Sequence, residues 1–196
     1  MRERKILSAM IALVWAASAS AQVIDDFESY TDTAELEAIW PLTTLDEVTP
    51  NHVSGTQSLR REGFTAGSGA GLFTSRSFDP PIDLSGLAGL EAWVRRDPAS
   101  VSPLQPAIFV RDQDGASCAP AGVPLIADSE WHRSFLSFGE FCNAVDLSAI
   151  VEIVLNISNQ SGGPGDVVAN FDDLAVPLFF DGFESGDTSW WSATIP

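Results

Sequence analysis

Five carboxylates stand near the two ends of the chain: Asp25, Asp26 and Glu28 at the start, Asp172 and Asp173 towards the close. If the first and last strands lie side by side, these groups gather hard oxygens of the kind that calcium takes. That ion wants six to eight oxygens at about 2.3–2.6 Å, from carboxylates, backbone carbonyls and water. Clustered carboxylates with no lysine near them need such a counter-charge, or their pKa values rise. The same residues serve equally as solvated acids at a sheet edge.

A second group of residues has the chemistry of a ligand surface. Trp93 with Glu91 and Arg95, Phe109 with Arg111, and Asn156 with Ser158 lie on the polar sides of three expected strands. Sugar rings stack their C–H faces on aromatic rings, while planar amide, carboxylate and guanidinium groups bond pairs of hydroxyls. An aromatic floor beside Arg and Asn therefore makes a carbohydrate surface, apolar area with a few fixed polar groups. The alternatives are a Trp93 covered by a loop and a Phe109 in the core. Trp190 and Trp191 either stay open or pack onto the domain.

Catalytic patterns are thin. His52 and His132 have no H-x-H or H-E-x-x-H spacing for zinc. No G-x-S-x-G elbow occurs, and Ser68 sits between glycines in a loop. Acidic residues are too many for a glycosidase pair to be read from the sequence. One Tyr30 and the lack of lysine beyond Lys5 argue against a polysaccharide lyase.

Positioning these groups requires a sheet framework. Short apolar segments separated by Gly, Pro, Ser and Asp predict strands at Val23–Phe27, Ser58–Glu62, Leu72–Phe78, Leu90–Arg95, Ala107–Asp112, Val123–Ala127, His132–Phe138, Val151–Ser158 and Val168–Pro177. Leu90, Ala92 and Val94 alternate with Glu91, Trp93 and Arg95; Ile153, Leu155 and Ile157 alternate with Glu152, Val154 and Asn156. Thr33–Ile39 and Leu147–Ile150 alone look helical. About nine strands with turns between them predict an all-β fold, an antiparallel β-sandwich of the jelly-roll kind.

The first residues have the layout of a secretory leader. A basic Met1–Lys5 precedes the apolar Ile6–Ser18 and an Ala19-Ser20-Ala21 cleavage pattern, so residues 1–21 read as a signal peptide. Cleavage removes three positive charges and one negative, taking the net charge from −17 to −19, with no lysine and seven arginines left. Such a surface disfavours nucleic acid, which needs a basic footprint. No later stretch is long and apolar enough for a transmembrane helix. Outside the cytoplasm Cys118 and Cys142 are expected to form a disulfide, worth about 3–4 kcal/mol on the chain-entropy model.

Several motifs together resemble the galactose-binding-like β-sandwich group, which includes many carbohydrate-binding modules. They are Asp26-Phe27-Glu28, the stretches Ser54–Arg60 and Asp83–Arg95, Trp131–Leu136, and the closing Phe171–Val176. The resemblance covers about residues 23–177. It implies a structural calcium held by Glu28, Asp172 and the Gln57 carbonyl, with Asp25 or Asp26 less securely placed, and a carbohydrate ligand. The end of the chain is similar to short C-terminal segments of secreted proteins from Gram-negative bacteria, through Asp181–Ser192. Its Asp181–Ser185 echoes Asp25–Ser29. A surface or sorting role and a loosely docked acidic end are the two readings of this tail.

The sequence therefore predicts a leader (residues 1–21), a β-sandwich domain (22–178) and a tail (179–196). The expected protein is secreted, calcium-supported and non-catalytic, binding carbohydrate or a cell-surface glycan through Trp93, Glu91, Arg95, Phe109, Arg111 and Asn156. Other readings are a surface-associated structural or adhesion protein displayed through its tail, and a small glycan hydrolase or lyase.

Overall fold

A computed structural model describes residues 23–48, 51–120 and 124–177; the expected leader and tail lie outside them. The described strands are β1 (Val23–Asp25), β2 (Thr43–Asp46), β3 (Ser58–Thr65), β4 (Gly71–Ile82) and β5 (Gly89–Arg96). They continue as β6 (Leu104–Asp112), β7 (Ser117–Cys118), β8 (Trp131–Ser137), β9 (Ile150–Asn159) and β10 (Gly165–Ala175). Helix α1 (Thr33–Ile39) is where the sequence puts it. Asp32 caps it by accepting from Glu35 N at 2.9 Å, and the Glu35 carboxylate reaches back to Thr31. A short α2 (Phe138–Phe141) follows β8, and the helical stretch expected over Leu147–Ile150 is one 3₁₀ turn, Leu147–Ala149.

The strands form two antiparallel sheets. A six-stranded sheet has the order β2-β3-β10-β5-β8, with β1 pairing on β10 beyond the start of β3; a four-stranded sheet has the order β4-β9-β6-β7. The expected β-sandwich is present. Its core is where period-two alternation puts it. Leu59, Leu90, Ala92, Val94, Ala169 and Phe171 come from the larger sheet, and Ile108, Val110, Ile153, Leu155 and Ile157 from the smaller, all buried.

Several elements depart from the sequence reading, the short β7 and α2 among them. β2 was not expected: Thr43-Thr44-Leu45-Asp46 is short and mostly polar, and it is a strand because β3 offers it an edge. Asp79-Pro80-Pro81, which reads as a break, lies inside β4; this is an edge strand, where proline is tolerated, and its ladder to β9 is irregular between Ser77 and Ile82. The strand expected at Val123–Ala127 is reduced to one bridge, Leu104 to Ile126, with Val123 outside the described residues. The Cys118–Cys142 disulfide is formed and ties edge strand β7 to the end of α2.

Candidate functional site

The outward side of the four-stranded sheet carries an open cleft of about 330 Å³, lined by Phe73, Phe109, Val110, Arg111, Ser117, Glu152, Val154 and Asn156. Register orders the outward side chains in rows across β4, β9 and β6. The rows are Gly71–Ser158–Gln105, Phe73–Asn156–Ala107, Ser75–Val154–Phe109 and Ser77–Glu152–Arg111. Ser117 of β7 extends the last row. An apolar belt of Phe73, Val154 and Phe109 thus lies between two polar ends. Phe73 is 61% exposed. At one end Arg111 Nη1 pairs with Glu152 Oε2 at 3.1 Å. At the other, Asn156 Nδ2 donates to Ser158 Oγ at 3.0 Å and Gln160 Nε2 donates to Gln105 Oε1 at 3.2 Å. Gly71 makes room there, since a Cβ would lie 2.6 Å from Asn156 Oδ1.

Phe73 and Phe109 stand two strand spacings apart and two residues out of step. Strands about 4.8 Å apart, rising about 3.3 Å per residue, separate their Cα atoms by about 12 Å. A single sugar ring cannot cover both.

The expected ligand residues do not form one surface. Phe109, Arg111 and Asn156 lie on this cleft, whereas Glu91, Trp93 and Arg95 project from β5 on the far side of the molecule. The polar sides of three strands were read as one face, but β5 belongs to the other sheet. There the side chains are tied down. Arg95 is buried, donating from Nε to Ser129 O at 2.6 Å and from Nη1 to Asn51 Oδ1. Glu91 is ion-paired with Arg133, and Trp93 is partly buried, level with Asp172 and Arg133. Asn170, wholly buried, donates to Asp46 Oδ2 and Ser58 Oγ at 3.0 Å each, and Asp46 Oδ2 also accepts from Asn51 and Arg60. Asp97, beside Arg60, is pushed up by burial, but the Ala99 N–H and the Arg60 guanidinium outweigh this and hold it below the usual range. Phe73, Gln105 and Glu152 are missed as site residues by the sequence reading; the alternation of β4, β6 and β9 is the signal that finds them.

The chain termini of the sandwich meet as expected, at the β1–β10 pair. Glu28 and Asp172 are both bound to the segment 53–57. Glu28 Oε1 accepts from Thr56 N and Gln57 N at 2.9 Å each, and Oε2 accepts from Thr56 Oγ1. Burial pushes Glu28 up, yet these donors hold it below the usual carboxylate range. Gly55, at φ +56°, is required here, because a Cβ would collide with the Glu28 carboxyl. Asp172 Oδ2 accepts from Val53 N at 2.6 Å and Ser54 N at 3.1 Å, and Oδ1 from Asp173 N. Burial raises Asp172 to about 6 despite those N–H groups, and Asp173 adds to the rise.

As donors for a hard cation these residues fit in chemistry: Glu28 Oε2 and Asp172 Oδ1 each accept one hydrogen bond and keep lone-pair capacity. Asp26 accepts from Glu28 N, and the Gln57 amide donates to the carbonyls of Phe27 and Tyr30. Asp25 is committed elsewhere: its Oδ2 accepts from Tyr30 Oη, Trp40 Nε1 and Arg76 Nη1 at 2.6–2.9 Å. Among the described residues no group of three His, Cys, Asp or Glu side chains converges as metal ligands.

No family model and no curated protein sequence matches the chain. Solved structures do. A family 11 carbohydrate-binding module of a cellulosomal cellulase from Clostridium thermocellum superposes with a TM-score of 0.51 at 15% identity, over 80% of this chain and 94% of that one. This chain has the fold of a carbohydrate-binding module. A second such module, family 28, specific for non-crystalline cellulose, matches with TM-score 0.51 at 7% identity, over 68% of this chain and 79% of the other. An exo-β-agarase matches with TM-score 0.56 at 13% identity over 80% of this chain, which spans only 24% of the agarase.

Proposed function

We propose that the chain is a non-catalytic module that binds carbohydrate on the outward side of its four-stranded sheet. The observation that carries this reading is the open cleft with an apolar belt between two sets of planar polar groups. Two phenylalanines with Cα atoms about 12 Å apart suit a chain of sugars rather than a single ring. The expected ligand set contracts to Phe109, Arg111 and Asn156, joined by Phe73, Gln105 and Glu152. Titration calorimetry and a glycan array test it: binding that disappears in Phe109→Ala, with the fold intact by circular dichroism, supports the cleft. Binding that survives Phe109→Ala and is lost in Trp93→Ala moves the site to the other sheet.

Calcium enters this reading as a structural ion held by Glu28, Asp172 and the Gln57 carbonyl, with Asp26 beside them. Its support is that both carboxylates sit on segment 53–57 and that Asp172 is buried beside a second acid. Such an ion supplies positive charge where two acids approach one another. The melting temperature decides: a rise in calcium over chelator supports the ion, and identical melting in both sinks it. Export to an oxidising compartment is supported by the disulfide. Its test is the mass of the protein recovered outside the cell, which should lack residues 1–21.

A further inference from the structure

Among the described residues the cleft holds one basic side chain, and that side chain is already paired. Among the residues lining it, Arg111 is the sole cation; it is 53% exposed, and Glu152, directly opposite on β9, is 20% exposed. A guanidinium on an aromatic floor is the group that recognises a carboxylate or sulfate bidentately. Here the bond is made inside the protein instead. The remaining polar lining is neutral: Asn156 and Ser117, with Gln105 and Ser158 on the next row. The chain as a whole has a net charge of −17, which repels a polyanion before contact.

Resting on the carbohydrate reading above, we infer that Glu152 is a specificity-determining residue: by pairing with Arg111 it restricts the cleft to uncharged glycans. The pair also anchors Arg111 on the same cleft as Phe109. Neutral chains lose nothing at such a pair, whereas an acidic chain meets the Glu152 carboxylate and must compete with it for Arg111. The selectivity is a matter of exclusion as much as attraction.

The test uses affinity electrophoresis on the whole secreted chain with two sets of polymers. The neutral set is mixed-linkage β-glucan, hydroxyethylcellulose and agarose; the acidic set is polygalacturonate, alginate and carrageenan. The unmodified protein should be retarded by at least one neutral polymer, equally at low and high salt, and by no acidic one. Glu152→Gln, which keeps the size of the side chain and releases Arg111, should gain about tenfold in affinity for an acidic polymer, with that gain lost at high salt. The double variant Glu152→Gln/Arg111→Gln should lose the gain. Retention of the unmodified protein by acidic polymers overturns the inference while leaving carbohydrate binding intact. So does a folded Glu152→Gln protein, by thermal melt, with no gain. Failure to bind any polymer of either set overturns the carbohydrate reading and this inference with it.

Discussion

The outward sides of the two sheets are built by the same alternation and end in opposite states. On the six-stranded sheet, β2, β3, β10 and β5 turn Asp46, Ser58, Arg60, Asn170 and Arg95 outward, and segment 51–57 closes over part of them. These side chains are tied to one another or to backbone, with Asn170 Oδ1 left unpartnered, and aromatic Trp93 is partly covered. On the four-stranded sheet the outward groups are fewer, softer and open, with phenyl rings where the other face has guanidinium and amide. Alternation therefore tells which side chains leave the core but not whether they reach water. What decides is a loop far away in the chain. A face laced by internal hydrogen bonds serves stability; one left bare at some cost in apolar exposure is the face proposed above for binding.

That contrast is open to direct attack. Asp46→Ala removes the acceptor shared by Asn170, Asn51 and Arg60 and should destabilise the protein by about 3 kcal/mol in denaturant unfolding. The affinity of the folded protein for sugar should not change. Phe73→Ala should do the reverse: affinity falls by about tenfold or more in calorimetry, while stability moves by less than about 0.5 kcal/mol. If both substitutions alter both properties alike, the division between the faces fails. Between the faces, Thr74 points into the core with no partner for its hydroxyl. Thr74→Val keeps the shape, removes the unpaired group and should stabilise by about 1 kcal/mol, leaving sugar binding untouched.

The gentlest test is in pH. Asp172, on the closed side, has a folded pKa of about 6, above its value in the unfolded chain. Between pH about 4 and 6 the folded state therefore holds more protons than the unfolded one. This group's contribution to stability falls as pH rises through that window. Melting curves in chelator should show the trend, and Asp172→Asn should flatten it. An identical slope in the variant would refute the assignment.

The sequence spoke clearly wherever the cause was local. Helix α1 was legible as a local segment, and the structure adds the Asp32 and Glu35 cap that holds it within four residues; the facing of β5 and β9 was legible because alternation is a property of consecutive residues. β2 was not legible, since a four-residue polar strand exists only by virtue of the edge of β3. The ligand face was half legible for a related reason. Periodicity marked Phe109, Arg111 and Asn156 as outward, but which strands share a sheet is set by pairings as distant as β10 with β3. Phe73 was hidden by its apolar neighbour Leu72, which leaves its direction open until Gly71, Ser75 and Ser77 are considered together. Glu152 was visible as an outward acid, yet its meaning depends on Arg111 across the ladder.

One feature of the topology bears on how the chain comes to be folded at all. β10 is the last described strand and lies at the middle of the larger sheet, joining β3 on one side to β5 on the other and receiving β1 at its end. Until residues 165–175 have been made, β2 and β3 have no connection to β5 and β8, and β1 has no partner. The sheet cannot close from its first half, and its contacts are long in sequence, which slows closure further. A chain stopped short of residue 165 would carry the larger sheet as two unjoined halves, β2–β3 and β5–β8.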